Sequence, residues 1–256
     1  MNCWKKSCHF FLFFCLRLPN IRVAKGYFLS FVLLAQAAAI FLIVPWATGA
    51  GAAEAPPIDQ LTAKMQETYD KTQDLTARFV QELTIASMKT TEREEGTVYF
   101  KKPGRMYWEY RKPKSDIIFK KLVVNPEKAW LYVPEDHVVY VQDAKAMYRS
   151  RLVIRLLSGM GSFGEDFRIE YATPEATDRE GNYQLVLTPK QNDMGVDRLH
   201  LTVDQNTLQI VQCRFPDAYG NLTRLSFRNV KINNRLSESL FHFKPPPGVD
   251  ILPVAP

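Results

Sequence analysis

From Leu75 onward, apolar residues recur at alternate positions. Leu75, Ala77 and Phe79 alternate with Thr76, Arg78 and Val80, and a strand sends successive side chains to opposite faces. The same period, broken by turn residues, predicts strands over about 75–86, 95–102, 105–111, 116–124, 128–133, 137–142, 166–172, 182–188, 196–204, 207–215 and 222–232. The turns are Pro103-Gly104, Asn125-Pro126, Pro134-Glu135-Asp136, Glu180-Gly181-Asn182, Asp204-Gln205-Asn206 and Gly220-Asn221. Connections this short join antiparallel neighbours, because a parallel pair needs a long crossover. The expected fold is therefore mainly β, an antiparallel sheet of about eleven strands. In the last strand, Leu225 and Phe227 share one parity while Val230 and Ile232 share the other, which predicts a bulge near Asn229.

Two segments keep a helical period instead. Ile58, Leu61, Met65 and Tyr69 are spaced for one helix face, with Asp59 as a candidate cap. The second, "AKAMYRSRLVIRLLS" from Ala144 to Ser158, is ended by Gly159. Its apolar residues are Met147, Val153, Ile154, Leu156 and Leu157, and its cations are Arg149, Arg151 and Arg155. It interrupts the run of strands, so it either crosses over the sheet or covers an opening as a lid.

The first 52 residues form a separate unit. Arg22 and Lys25 precede an uncharged run from Gly26 to Trp46, and Ala50-Gly51-Ala52 has the small-x-small form of a secretory cleavage site. Residues 1–52 read as an export leader, and 53–256 as one domain. Residues 1–21, with their own apolar patch from Phe10 to Leu16, read as an over-long start. The apolar run is also long enough to span a bilayer, so a retained inner-membrane anchor is the alternative to cleavage.

Charge narrows the function. The formal net charge is +6, but the leader holds five basic residues and no acid. The rest has 28 Lys plus Arg against 27 Asp plus Glu, a net of +1. Nucleic-acid binders sustain a positive face, so no nucleic-acid partner is expected. Cys213 alone lies beyond the leader, so the domain has no internal disulfide. It reads as a plain half-buried residue.

No catalytic constellation emerges. Gly159-Met160-Gly161-Ser162-Phe163-Gly164 matches a dinucleotide-binding pattern by letter, yet it follows a helix and precedes a strand, the reverse of what pyrophosphate binding requires. His137, His200 and His242 stand far apart and near no other metal-type ligand. No enzyme activity, metal or cofactor is expected.

The aromatic residues are the unusual feature. "YFKKPGRMYWEYRKP", Tyr99 to Pro113, mixes rings and cations, but period two sorts it. Val98 and Phe100 share a face with Lys102 at its edge, and Met106, Trp108 and Tyr110 share a face after the turn. Trp130 and Tyr132 form a similar pair on a later strand. These seven residues, Val98 to Tyr132, are read as the lining of an apolar-ligand face; a plain core is the alternative.

At these residues the chain resembles the LolA family of periplasmic outer-membrane lipoprotein carriers. The likeness runs from Leu61 to Val249 through "LTARFVQEL", "GTVYFKKPGRMYWEY", "AWLYVP", "YQLVLTPK" and "FHFKPPPGV". It implies an incomplete β-barrel with a helical lid over a cavity for acyl chains. The implied partners are acylated lipoproteins, an inner-membrane ABC transporter of the LolCDE type and, where one exists, a LolB-like outer-membrane receptor. The carrier is expected to act as a monomer. The family's lid-locking arginine falls on Lys102, and its interior aromatic positions on Met106 and Trp108. A second function fits the same scaffold, a periplasmic lipid- or glycolipid-binding regulatory module.

Overall fold

The computed structural model describes residues 55–149, 156, 161–191 and 196–254. The leader predicted over 1–52 lies outside the described residues.

Helix α1 (Ile58–Lys71) buries Leu61, Met65 and Tyr69, the residues its spacing selects. Asp59 is not its cap. Pro57 holds the cap position without a side-chain bond, and Asp59 sits in the first turn, where its carboxylate faces the positive end of the helix dipole. The strands β1 (Asp74–Ile85), β2 (Thr90–Lys101), β3 (Arg105–Arg111), β4 (Ile118–Val124), β5 (Lys128–Val133) and β6 (Val138–Asp143) follow, each antiparallel to the last. After the helical segment come β7 (Phe167–Tyr171), β8 (Tyr183–Pro189), β9 (Leu199–Val203), β10 (Ile210–Pro216) and β11 (Leu222–Ile232). All eleven predicted strands form. To these β12 (Asp250–Pro253) adds a twelfth, which lies parallel to β6.

The strands make one sheet in the order β12-β6-β5-β4-β3-β2-β1-β11-β10-β9-β8-β7. Its end strands, β12 and β7, do not pair, so the sheet is an unclosed barrel. The expected bulge is present. Thr76 pairs with Lys231 but Arg78 with Arg228, which leaves an extra residue on β11, and Asn229 has φ of 53°.

Ring contacts measure the curvature. Trp108 on β3 and Phe227 on β11 are three strand steps apart, roughly 14 Å on a flat sheet. Their ring centroids are 6.3 Å apart. The sheet therefore curls around one face, and the main hydrophobic core fills that concave side.

The convex side has a cover of its own. The chain after β11 crosses β2–β5 and places Phe241, fully buried, against Tyr107 and Val123. Asp74 fastens it, its carboxylate accepting from the Asn234 and Leu236 amides at 2.7 and 3.1 Å. Glu238 on this strap pairs with Lys101 at 2.8 Å and Arg105 at 2.7 Å.

Of the helix predicted over Ala144–Ser158, α2 (Ala144–Arg149) and the helical residue Leu156 are described. Val153, Ile154 and Leu157 lie outside the described residues. Met147 and Leu156 are both buried in the main core. A four-residue helix, α3 (Phe163–Asp166), then leads into β7, capped by the Ser162 side chain.

Candidate functional site: a ring-lined concave face under a helix

The β2–β3 hairpin builds the centre of the face. Val98 pairs with Trp108 and Phe100 with Met106, so four apolar side chains stand side by side, pointing to the concave core. Next in the row, Tyr110 pairs with Gly96. A Cβ on Gly96 would lie 1.8 Å from the Glu109 carbonyl oxygen and 3.1 Å from the Phe79 ring. Only glycine allows this approach, and it lets Phe79 lie across the hairpin. Phe79 then meets Trp108 at 4.7 Å and Tyr110 at 5.0 Å, both edge-to-face. Phe100 meets Trp108 at 5.9 Å, also edge-to-face. Lys120 ends the row, its ammonium 4.0 Å above the Tyr110 ring and 2.7 Å from the Glu94 carboxylate.

Helix α1 roofs this face. Leu61, Met65 and Tyr69 enter the same core. The buried Tyr69 hydroxyl accepts from the Ile210 amide at 3.1 Å, and burial pushes this phenol above its ordinary range. The Tyr69 ring also meets Phe163 at 5.3 Å. Gln66 accepts from the Phe163 amide at 2.9 Å, and the Tyr171 hydroxyl donates to the Pro56 carbonyl at 2.6 Å.

Lys102 ties down the other end of α1. Its ammonium donates to the Tyr69 carbonyl at 2.5 Å and the Asp70 carbonyl at 3.3 Å. The last carbonyls of a helix lack intrahelical partners and carry its negative end, so a cation fits there. Burial holds the Lys102 ammonium below the ordinary lysine range, and nearby Asp70 opposes the shift. Among the described residues, then, the helix that Lys102 holds is α1.

Val98, Phe100, Met106, Trp108 and Tyr110 stand together as the hairpin's parity predicts. Trp130 and Tyr132 do not join them. Trp108 pairs with Leu122, and Leu122 with Leu131, so Ala129 and Leu131 carry the concave parity on β5. Trp130 and Tyr132 face the convex side, where their rings meet Phe243 of the strap at 6.2 and 5.8 Å. Their placement in the concave lining is thus corrected. Leu61, Met65, Tyr69, Phe79 and Phe227 belong to the concave face and were absent from the expected lining. The helical spacing of the first three was the available signal. Cys213 is fully buried, not half-buried, and burial pushes its thiol up to about 12.

Two side chains of the core retain unpaired polar atoms. Trp108 Nε1 and both amide atoms of Gln209 are buried without a hydrogen-bond partner. No group of three or more His, Cys, Asp or Glu able to hold a metal occurs among the described residues. His200 lies on the convex side, where β9 and β10 place it beside Arg214.

The fold and this face define a lidded β half-barrel. Residues 70–244 match the family described as outer membrane lipoprotein carrier protein LolA, and the chain belongs to that family. It is 28% identical over 204 residues to an outer-membrane lipoprotein carrier protein of Hahella chejuensis, covering 80% of this chain and 91% of that one. A protein of the same description from Pseudomonas aeruginosa is 30% identical over 185 residues, covering 72% and 83%. A solved LolA superfamily protein from Nitrosomonas europaea aligns with a TM-score of 0.41 at 15% identity, covering 74% and 99%.

Proposed function

We propose that this chain is a periplasmic carrier that shelters the acyl chains of lipoproteins against the concave face, beneath α1. The observation that carries the reading is the apolar ring-lined face of a LolA-family chain under a helix fastened to it by few polar contacts. An exposed methylene costs roughly 0.8 kcal/mol in water, so an acylated cargo crosses an aqueous space only when its chains are covered. The carrier needs no catalysis and works as a monomer. It receives cargo from an inner-membrane ABC transporter of the LolCDE type and gives it to an outer-membrane receptor.

The rings fill the concave side in this closed form, so loading requires α1 and the side chains beneath it to move. The test uses the purified mature chain, one acylated lipoprotein, and the same lipoprotein with its acylated cysteine replaced. A soluble complex with the acylated form alone is expected. Complexes with both forms alike, or with neither, refute the reading.

A further inference from the structure

We infer that Trp108 provides a polar subsite in the apolar face, with its indole N–H donating a hydrogen bond to the carbonyl that joins an acyl chain to its cargo. The inference rests on the carrier reading and specifies which part of the ligand the face recognises beyond the hydrocarbon.

Among the described residues, the buried tyrosine hydroxyls are satisfied. Tyr69 is bonded to the Ile210 amide, Tyr107 to Glu109, and Tyr110 to Gln81. The Trp108 indole among these rings is not satisfied. It is 3% exposed, and its Nε1 has no partner. Its ring neighbours are Phe79, Phe100, Tyr110 and Phe227, whose π faces are weak acceptors at best. Buried tryptophan N–H groups usually find a partner, and an orphaned donor is costly. Phenylalanine would pack here without that penalty. A donor held ready among rings suits a ligand that is apolar along most of its length and carries one acceptor.

An acyl chain has that form. Its carbonyl loses water when the chain is buried, and a donor inside the face offsets the loss. Esters and amides share this acceptor, whereas an ether-linked chain of equal length lacks the carbonyl.

The test measures uptake by the mature chain of two labelled lipids from phosphatidylcholine vesicles. One is a glycerol diester of hexadecanoic acid and the other a dihexadecyl glycerol diether. Trp108→Phe keeps a ring and removes the N–H. The ratio of diester to diether affinity is expected to fall about tenfold in the variant, the scale of one buried hydrogen bond. An unchanged ratio overturns the inference while leaving the carrier reading intact. A wild-type chain that prefers the diether overturns it without any variant, which covers the case of a poorly folded Trp108→Phe. Binding of neither lipid by the wild-type chain removes the carrier reading, and the inference with it.

Discussion

Replacing Lys102 with methionine keeps most of the side chain's apolar reach and removes its two bonds to the end of α1. Hydrogen bonds from charged donors contribute about 1.5–3 kcal/mol when well formed. Of the two here, the Tyr69 carbonyl is at 2.5 Å and the Asp70 carbonyl at 3.3 Å. The ammonium is only part-buried, and burial already disfavours its charge. Net stabilisation of the docked helix should therefore fall below that range, at about 1 kcal/mol, or roughly fivefold in the opening equilibrium. Hydrogen exchange read on residues 58–71 should accelerate about fivefold in Lys102→Met, while β1–β3 keep their rates. Lys102→Arg should slow exchange below wild type, since a planar guanidinium can serve both carbonyls at once. Unchanged exchange in α1, or an acceleration shared equally by the sheet, would refute the assignment of Lys102 as the tie on the roof.

Gly96→Ala should destabilise the domain by at least about 3 kcal/mol in urea unfolding, because its Cβ meets the Glu109 carbonyl at 1.8 Å. A loss under about 1 kcal/mol would show that the hairpin does not need this close approach. Burial first, then Arg214 and Arg198, holds the His200 imidazole below its ordinary value of 6.5. The unfolded chain thus binds this proton more readily, so stability should fall as pH drops from above 6.5 through the folded value and level off below it. Thermal unfolding across that interval should show the slope in wild type and a shallower one in His200→Gln; parallel profiles would count against it.

The eleven strands were legible because one face of each is apolar and most turns between them use Gly, Pro, Asn or Asp. The two misread edges have physical causes. The first half of β2, Thr90 to Glu95, is almost wholly polar, because it extends with β1 beyond the core as a hairpin; there the ladder holds the strand and no hydrophobic period marks it. All four residues of β12 are exposed, so its pairing with β6 also left no pattern. Trp130 and Tyr132 were misplaced for a different reason. Alternation fixes which residues share a face within one strand, but the face of a distant strand depends on the register through β4. Their rings are apolar because the strap covers the convex side, and the strap carries its own aromatics, Phe241 and Phe243. Lys102 was legible as the cation at the edge of the ring row; its acceptors on α1 were not, since the contact spans 33 residues.

The strength of the roof decides whether acyl chains could open it. Leu61, Met65 and Tyr69 are the side chains α1 buries. Full burial of a large apolar side chain contributes about 1.5–3 kcal/mol, so withdrawing the three would cost roughly 5–9 kcal/mol. The Lys102 tie and the bonds of Tyr69 to the Ile210 amide and of Gln66 to the Phe163 amide add about 1 kcal/mol each. At roughly 0.8 kcal/mol for each methylene removed from water, about ten to fifteen buried methylenes offset that total. One long acyl chain supplies them, whereas a short apolar solute does not. On the carrier reading, one long acyl chain therefore suffices to displace the roof while a short solute does not, and the three side chains of α1 set most of that threshold.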